Sequence, residues 1–195
     1  MKKRLATVVR KTKETDISLS LDLDGKGAAE IDTGIGFLDH MLSALTKHGG
    51  FDLSLSCKGD LEVDDHHTAE DCAISLGKAL DEALGERAGI ARFGYAYAPL
   101  DEALARAVVD LSGRPFAKIS LGLTGEKMGT LACENATHVM VSLAMASKST
   151  VHVEVLTGEN DHHRTEAAFK ALALALRQAV GNTGSDQIPS TKGVL

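Results

Sequence analysis

The chain repeats itself, and this constrains its fold more than any other feature of its 195 residues. "DLDGKGAAEI" begins at Asp22 and "DLSGRPFAKI" at Asp110, an offset of 88 that Glu14 and Glu102 also keep. "DHMLSAL" from Asp39 matches "THVMVSL" from Thr137 at an offset of 98. "DDHHTAED" from Asp64 matches "NDHHRTEA" from Asn160 at an offset of 96. The growth in offset falls in the Gly-rich stretch "LGLTGEKMGTLACEN", Leu121 to Asn135, a natural place for a loop insertion. The same elements in the same order mark an internal duplication, with a first half at 1–86 and a second at 87–195 ending in a tail.

Each copy reads in the same way. "DISLSLDLDG" alternates Ile17, Leu19, Leu21 and Leu23 with polar residues, as a half-buried strand does, and "AAEIDT" follows as the return strand of a hairpin. "GFLDHMLSALTKHGG" spaces its apolar residues helically and stops at a glycine pair. "FDLSLSC" alternates as a strand, and helical spacing runs from Thr68 to Gly85. The second half gives strands at "ARAVVDL" and "PFAKISL", a helix around His138 to Ala146, the strand "TVHVEVL" and a helix from about Arg164 to Val180. "DEALARA" alone favours helix by propensity, but its repeat partner is a strand and "DLSGRP" supplies a turn. The expected fold is α+β, a duplicated β-β-α-β-α unit. Each copy forms a mostly antiparallel sheet with helices on one face, and the two make one compact domain.

Composition narrows the function. With 44% hydrophobic and 25% charged residues the chain has ample material for a core and is not a disordered segment. A net charge of −6, two tyrosines and no tryptophan argue against nucleic-acid binding, and any anionic ligand needs a local basic cluster. The opening "MKKRLATVVRKTK" lacks the apolar run of a signal peptide, and no stretch approaches a membrane span, so the expected location is the cytoplasm. Cys57, Cys72 and Cys133 share no paired spacing and read as reduced thiols, with Cys72 on the buried side of its helix.

Six of the eight histidines lie in the repeated segments: His40, His66, His67, His138, His162 and His163. With Glu70 and Glu166 they make two matching sets. On a helix, residues four apart differ by roughly 40° and neighbours by about 100°. His66 then shares a face with Glu70, and His162 with Glu166, while His67 and His163 turn elsewhere and can serve a second centre. A first-turn glutamate can also complement a helix dipole, which accounts for the glutamates but not for the preceding histidine pairs. His48 and His152 fall outside the repeats and read as structural. Imidazole with carboxylate and no thiolate suits Mn, Fe, Co, Ni or Zn, and suits a catalytic site better than a structural one.

These segments, together with "GIGFLDHML", "FGYAYAPLDEALARAVVDLSGRP" and the terminal "PSTKGVL", resemble the imidazoleglycerol-phosphate dehydratase family over nearly the whole chain. The resemblance implies dehydration of D-erythro-imidazoleglycerol phosphate to imidazole acetol phosphate, a hydro-lyase reaction of histidine biosynthesis. It also implies two Mn²⁺ per active site, other divalent transition metals being compatible, and a shell of 24 subunits with shared sites. Nucleic acid and membrane are not expected as partners. The implied metal ligands are His66, Glu70, His138 and His163 at one ion, and His40, His67, His162 and Glu166 at the other. The implied phosphate clamp is Arg92, Arg114, Lys170, Ser190 and Lys192, Arg giving bidentate donors and Lys a point charge. Glu14 matches a glutamate lining the family's substrate site, whereas its counterpart Glu102 matches none. Ala44 stands where many relatives have glutamine.

The chemistry expected from this is loss of the C2 proton to a metal-bound imidazolate, then expulsion of the C3 hydroxyl. Glu14 is the first candidate for proton transfer, with Glu70, Glu166 or metal-bound water as competitors. A dinuclear phosphoester hydrolase and a metal-storing shell are the rival readings. The first predicts phosphate release, and the second leaves the basic cluster without a purpose.

Overall fold

The computed structural model describes residues 3–195, so Met1 and Lys2, at the head of the first half and of the basic opening, lie outside it. The first half runs β1 (Leu5–Lys11), β2 (Thr15–Asp22), β3 (Ala29–Asp32), α1 (Gly36–Gly49), β4 (Asp52–Gly59) and α2 (His66–Leu84). The second runs β5 (Phe93–Leu100), β6 (Ala103–Asp110), β7 (Phe116–Ser120), β8 (Lys127–Met128), β9 (Leu131–Ala132), α3 (Cys133–Ala146), β10 (Thr150–Thr157) and α4 (Asp161–Ala179). "DEALARA" does enter a strand, β6, beginning at Ala103. The Gly-rich insertion is not all loop: it holds the small β8–β9 hairpin and the first turn of α3.

The repeat is one strand longer than its sequence pattern suggests, because β1 and β5 form the outer edge of each sheet. The sheet orders are β1-β2-β4-β3 and β5-β6-β10-β7. In both, the first two pairings are antiparallel and the last is parallel. The expected β2–β3 and β6–β7 hairpins are therefore absent; β4 and β10 lie between those strands. Asp52 at the start of β4 is the physical reason in the first half. Its Oδ1 accepts the N–H of Lys26 at 2.7 Å and of Ala28 at 2.9 Å, which carries the connecting loop past β2 and sets β3 beside β4. The 14-residue α1 then supplies the crossover that a parallel pair requires.

The helices cover one face of each sheet. α2 packs on β1 and β2, α1 on β3, α4 on β5 and β6, and α3 on β7. The two helix layers meet as α1 against α4 and α2 against α3, so each contact joins the two halves. A single apolar core results, with Ile17, Leu19 and Leu55 from the first sheet, Val109 and Val151 from the second, and Met41, Leu42, Met140, Phe169 and Leu172 from the helices. Cys72 is buried as expected, and all three cysteines are free. α1 ends where Gly50 takes a left-handed φ of 73° and its N–H returns to Thr46 O. No described helix is long and apolar enough to cross a membrane.

Candidate metal centres and substrate site

Both histidine pairs lie in the first turn of a helix, where the side chain two positions before the first histidine accepts backbone N–H bonds from the pair. Asp64 Oδ1 accepts the N–H of His66 at 2.8 Å, and Asn160 Oδ1 accepts those of His162 at 2.9 Å and His163 at 3.3 Å. Helical geometry thus begins at the pair, and the adjacent rings diverge: their planes meet at 74° in α2 and 83° in α4.

Two groups of potential ligands result, each drawn from both halves. On α1 and α4, His40 Nε2 and His162 Nε2 stand 3.1 and 3.2 Å from Glu166 Oε2. On α2 and α3, His138 Nε2 stands 3.0 Å from Glu70 Oε1 and His66 Nε2 4.0 Å from Glu70 Oε2. Within each group the ligand atoms lie inside 4.8 Å of one another. An ion with bonds of about 2.0–2.2 Å spans ligand atoms at such separations. The donor set of two imidazoles and a carboxylate fits a divalent transition metal.

His67 and His163 join neither group in the single chain. Each ring is held at Nδ1 by a carboxylate, His67 by Asp60 at 3.0 Å and His163 by Glu102 at 2.7 Å, and both histidines are raised in pKa chiefly by that bond. Glu14 lies 3.8 Å from His67 Nε2, and Asp101 3.9 Å from His163 Nε2. His66 is held in the same manner, its Nδ1 3.1 Å from Oδ1 of the buried Asn135. Asp60, Glu102 and Asn135 carry no spacing signal comparable to the histidines. Asn135 could have been found as a polar residue one helical turn before His138, and Glu102 as the repeat partner of Glu14.

The charges are uneven. Burial pushes the Glu166 carboxyl up, but the Lys170 ammonium, 2.7 Å from Oε1, and the His40 ring together outweigh it and hold the group at about 2. Glu102 is also held at about 2, by the Asn160 N–H first, then His163 and the Glu159 N–H. Lys170 therefore sits at one of the candidate ligand groups rather than with the other clamp residues.

Those others gather at the C-terminal tail. Arg92 forms a two-point pair with Asp110, at 2.7 and 3.1 Å, and donates to Pro189 O at 2.8 Å. Ser190 Oγ accepts the Lys192 N–H at 3.2 Å. A carbon added to Gly113 would stand 2.7 Å from the Leu195 carbonyl carbon, so the chain end lies against the turn that carries Arg114. Ala44 is buried on α1, one turn past His40. His48 stands in the last turn of α1, and His152 lies against Phe116 on β10, outside both groups. A depression of about 330 Å³ on the second sheet, lined by Arg106, Val108, Lys118, Ser120, His152, Val153 and Glu154, contains none of the proposed ligands. The histidine groups are open instead: His40 and His162 are 48% and 47% exposed.

The family model for imidazoleglycerol-phosphate dehydratase matches residues 33–176. The imidazoleglycerol-phosphate dehydratase of Phytophthora nicotianae is 59% identical over 192 residues, covering 98% of this chain and 42% of that longer protein. The enzyme of the same name from Candida glabrata is 54% identical over 209 residues, covering 98% of this chain and 100% of its own. Among solved structures, that of IGPD from Pyrococcus furiosus in complex with (S)-C348 superposes with a TM-score of 0.84 at 40% identity, covering 96% of this chain and 100% of that one. On this breadth of match, and with the fold in agreement, the chain belongs to the imidazoleglycerol-phosphate dehydratase family.

Proposed function

We propose that this chain is a metal-dependent hydro-lyase that converts D-erythro-imidazoleglycerol phosphate to imidazole acetol phosphate, a step of histidine biosynthesis. The observation that carries the reading is the pair of triads, His40–His162–Glu166 and His66–His138–Glu70, in a chain of this family. Two divalent ions, manganese in our reading, would be held by these six residues together with His67 and His163. Bound there, they supply Lewis-acid stabilisation of negative charge on the substrate's imidazole.

The chain's own residues do the rest. Glu14 takes the C2 proton: its carboxylate projects from the β1–β2 turn, is half exposed and lies beside His67 Nε2. Glu166 is a poor competitor, because His40 and His162 meet its Oε2 and the Lys170 ammonium its Oε1, and in this reading it is held as a metal ligand. Arg114, Lys192, Ser190 and Arg92 bind the phosphate at the C-terminal tail, with Lys170 reaching it from the metal side. The exposure of His40 and His162, and the absence of His67 and His163 from either triad, support ligands shared across subunits in a homo-oligomeric shell of 24 chains. Three free, buried cysteines fit a reducing cytoplasm.

The test is purification with Mn²⁺, then assay for the ketone and for free phosphate, with and without chelator. Chelator-sensitive ketone with phosphate retained is expected. Phosphate release would favour a hydrolase, and no ketone in the presence of Mn²⁺ would overturn the reading.

A further inference from the structure

Glu14 and Glu102 occupy matching places in the two halves, each in the turn between the first two strands of its sheet, yet they stand at opposite edges of their histidines. In the second half Glu102 Oε2 accepts from His163 Nδ1 at 2.7 Å, while its Oε1 accepts the N–H groups of Glu159 at 3.1 Å and Asn160 at 3.0 Å. The ring is thereby tied to the start of α4. In the first half the Nδ1 edge of His67 is taken by Asp60, one residue past β4, and Glu14 stands on the Nε2 side. A carboxylate ion only accepts hydrogen bonds, so Nδ1 carries the proton in both rings, and in the neutral imidazole that a metal binds Nε2 keeps its lone pair.

We propose that Asp60 and Glu102 are positioning residues that fix the tautomer and rotation of His67 and His163 for ligation through Nε2, and that Asp60 frees Glu14 from this task so that it can face the substrate. The inference rests on the reading of His67 and His163 as metal ligands. The two edges of an imidazole point away from each other, so one carboxylate cannot hold Nδ1 and also work beside Nε2. The second half keeps its turn glutamate in the holding role, and Asp101 stands on the Nε2 side there. The first half has moved that role to Asp60. The ring of His67 is the hydrogen-bond partner of the Asp60 side chain among the described residues: it meets Oδ2, while Oδ1 is buried and without a partner. Outer carboxylates of this kind typically set metal affinity by about 10–100-fold.

Equilibrium Mn²⁺ binding by the full-length protein, without substrate, tests this, read by competition with a chelating dye and by metal content after dialysis. Wild-type protein is expected to hold two ions per chain. Asp60→Ala should weaken one of them by about 10–100-fold. Asp60→Asn should restore most of the affinity, because the amide oxygen accepts the same bond. Glu14→Gln should leave Mn²⁺ affinity unchanged while turnover falls, whereas Glu102→Ala should weaken binding. Glu102 also closes the start of α4, so Asp60, which caps no helix, carries the decision. Asp60→Ala with wild-type affinity, or Glu14→Gln as weak as Asp60→Ala, would overturn the inference while the metal reading stands. Wild-type protein that takes up no Mn²⁺ would overturn the metal reading, and this inference with it.

Discussion

Replacing Gly77 with alanine would add one carbon where α2 crosses α3, the two helices that carry Glu70, His66 and His138. That carbon would stand 2.6 Å from Ala146 Cβ, 2.8 Å from Leu143 O and 2.9 Å from Ser147 N. Carbons in ordinary contact lie about 3.5–4.0 Å apart, so the helices must separate by about 1 Å. Neither backbone neighbour can turn aside cheaply, because Ser147 N donates to Leu143 O at 2.9 Å and that bond is worth about 1 kcal/mol. Against this, alanine inside a helix is favoured over glycine by about 0.8–1.0 kcal/mol. Overpacking typically costs about 1–3 kcal/mol, so the variant should lose about 1–2 kcal/mol once the broken contacts are included. The ligands should suffer more than the fold does. Gly77 lies seven residues past Glu70, on the same face of α2, and His138 Nε2 is 3.0 Å from Glu70 Oε1 across the crossing. Metal sites tolerate about ±0.2 Å in ligand distance, and even half of the helix displacement exceeds that. Urea denaturation of the chelated protein and Mn²⁺ titration measure the two effects separately. A variant at least as stable as wild type, with unchanged Mn²⁺ uptake, would refute the claim that this close crossing sets the ligand geometry.

Two further outcomes follow from other parts of the fold. Asp71 is buried on α2, where Arg10 and the Thr15 hydroxyl meet its carboxylate. Arg10→Met should cost about 3–5 kcal/mol in denaturant unfolding, and the apolar double variant Arg10→Met/Asp71→Leu should recover most of it. Asp24 is held below its ordinary value of 3.8, first by its hydrogen bond to Arg4. A depressed carboxylate stabilises the fold above its unfolded pKa, and the contribution is lost as the pH falls through the folded value. Asp24→Asn should therefore lower stability at pH 7 by no more than about 1 kcal/mol, given its exposure, and the gap to wild type should close in the acid limb of a pH series.

The duplication and the helices were legible because their signals are periodic and local. The edge strands were not, and β5 shows why. Its outward positions carry Phe93, Tyr95 and Tyr97, all exposed, while Gly94, Ala96 and Ala98 face α4. A carbon added to Gly94 would lie 1.9 Å from Ala175 O, so the helix leaves no room for larger side chains on the inner face. The alternation is therefore inverted, with the large apolar residues outside. β3 misled for a different reason: a turn sequence after β2 suggests a hairpin, but Asp52, far along the chain, decides which strand it joins. At the site, the spacing of His66 with Glu70 and of His162 with Glu166 was readable from helix geometry alone. The residues that hold the rings, Asp60, Glu102 and Asn135, come from separate elements, and each lies far along the chain from its ring or outside the helix that carries it.

The crossing of the helix layers explains why neither of the two matching centres lies within one half of the duplicated chain. If each half folded on itself, His40 would meet the ligands of α2, and His138 those of α4. Instead α1 faces α4 and α2 faces α3, so each triad takes residues from both halves: one from α1 and two from α4, or two from α2 and one from α3. Among the described residues, neither half alone contains a complete triad. Substitutions that shift one helix layer against the other therefore disturb both centres, and this restricts where the copies can diverge. The restriction is weakest at the turns and strand ends, outside the helix contacts. The repeats differ there, where Glu102 holds a ring that its partner Glu14 leaves to Asp60.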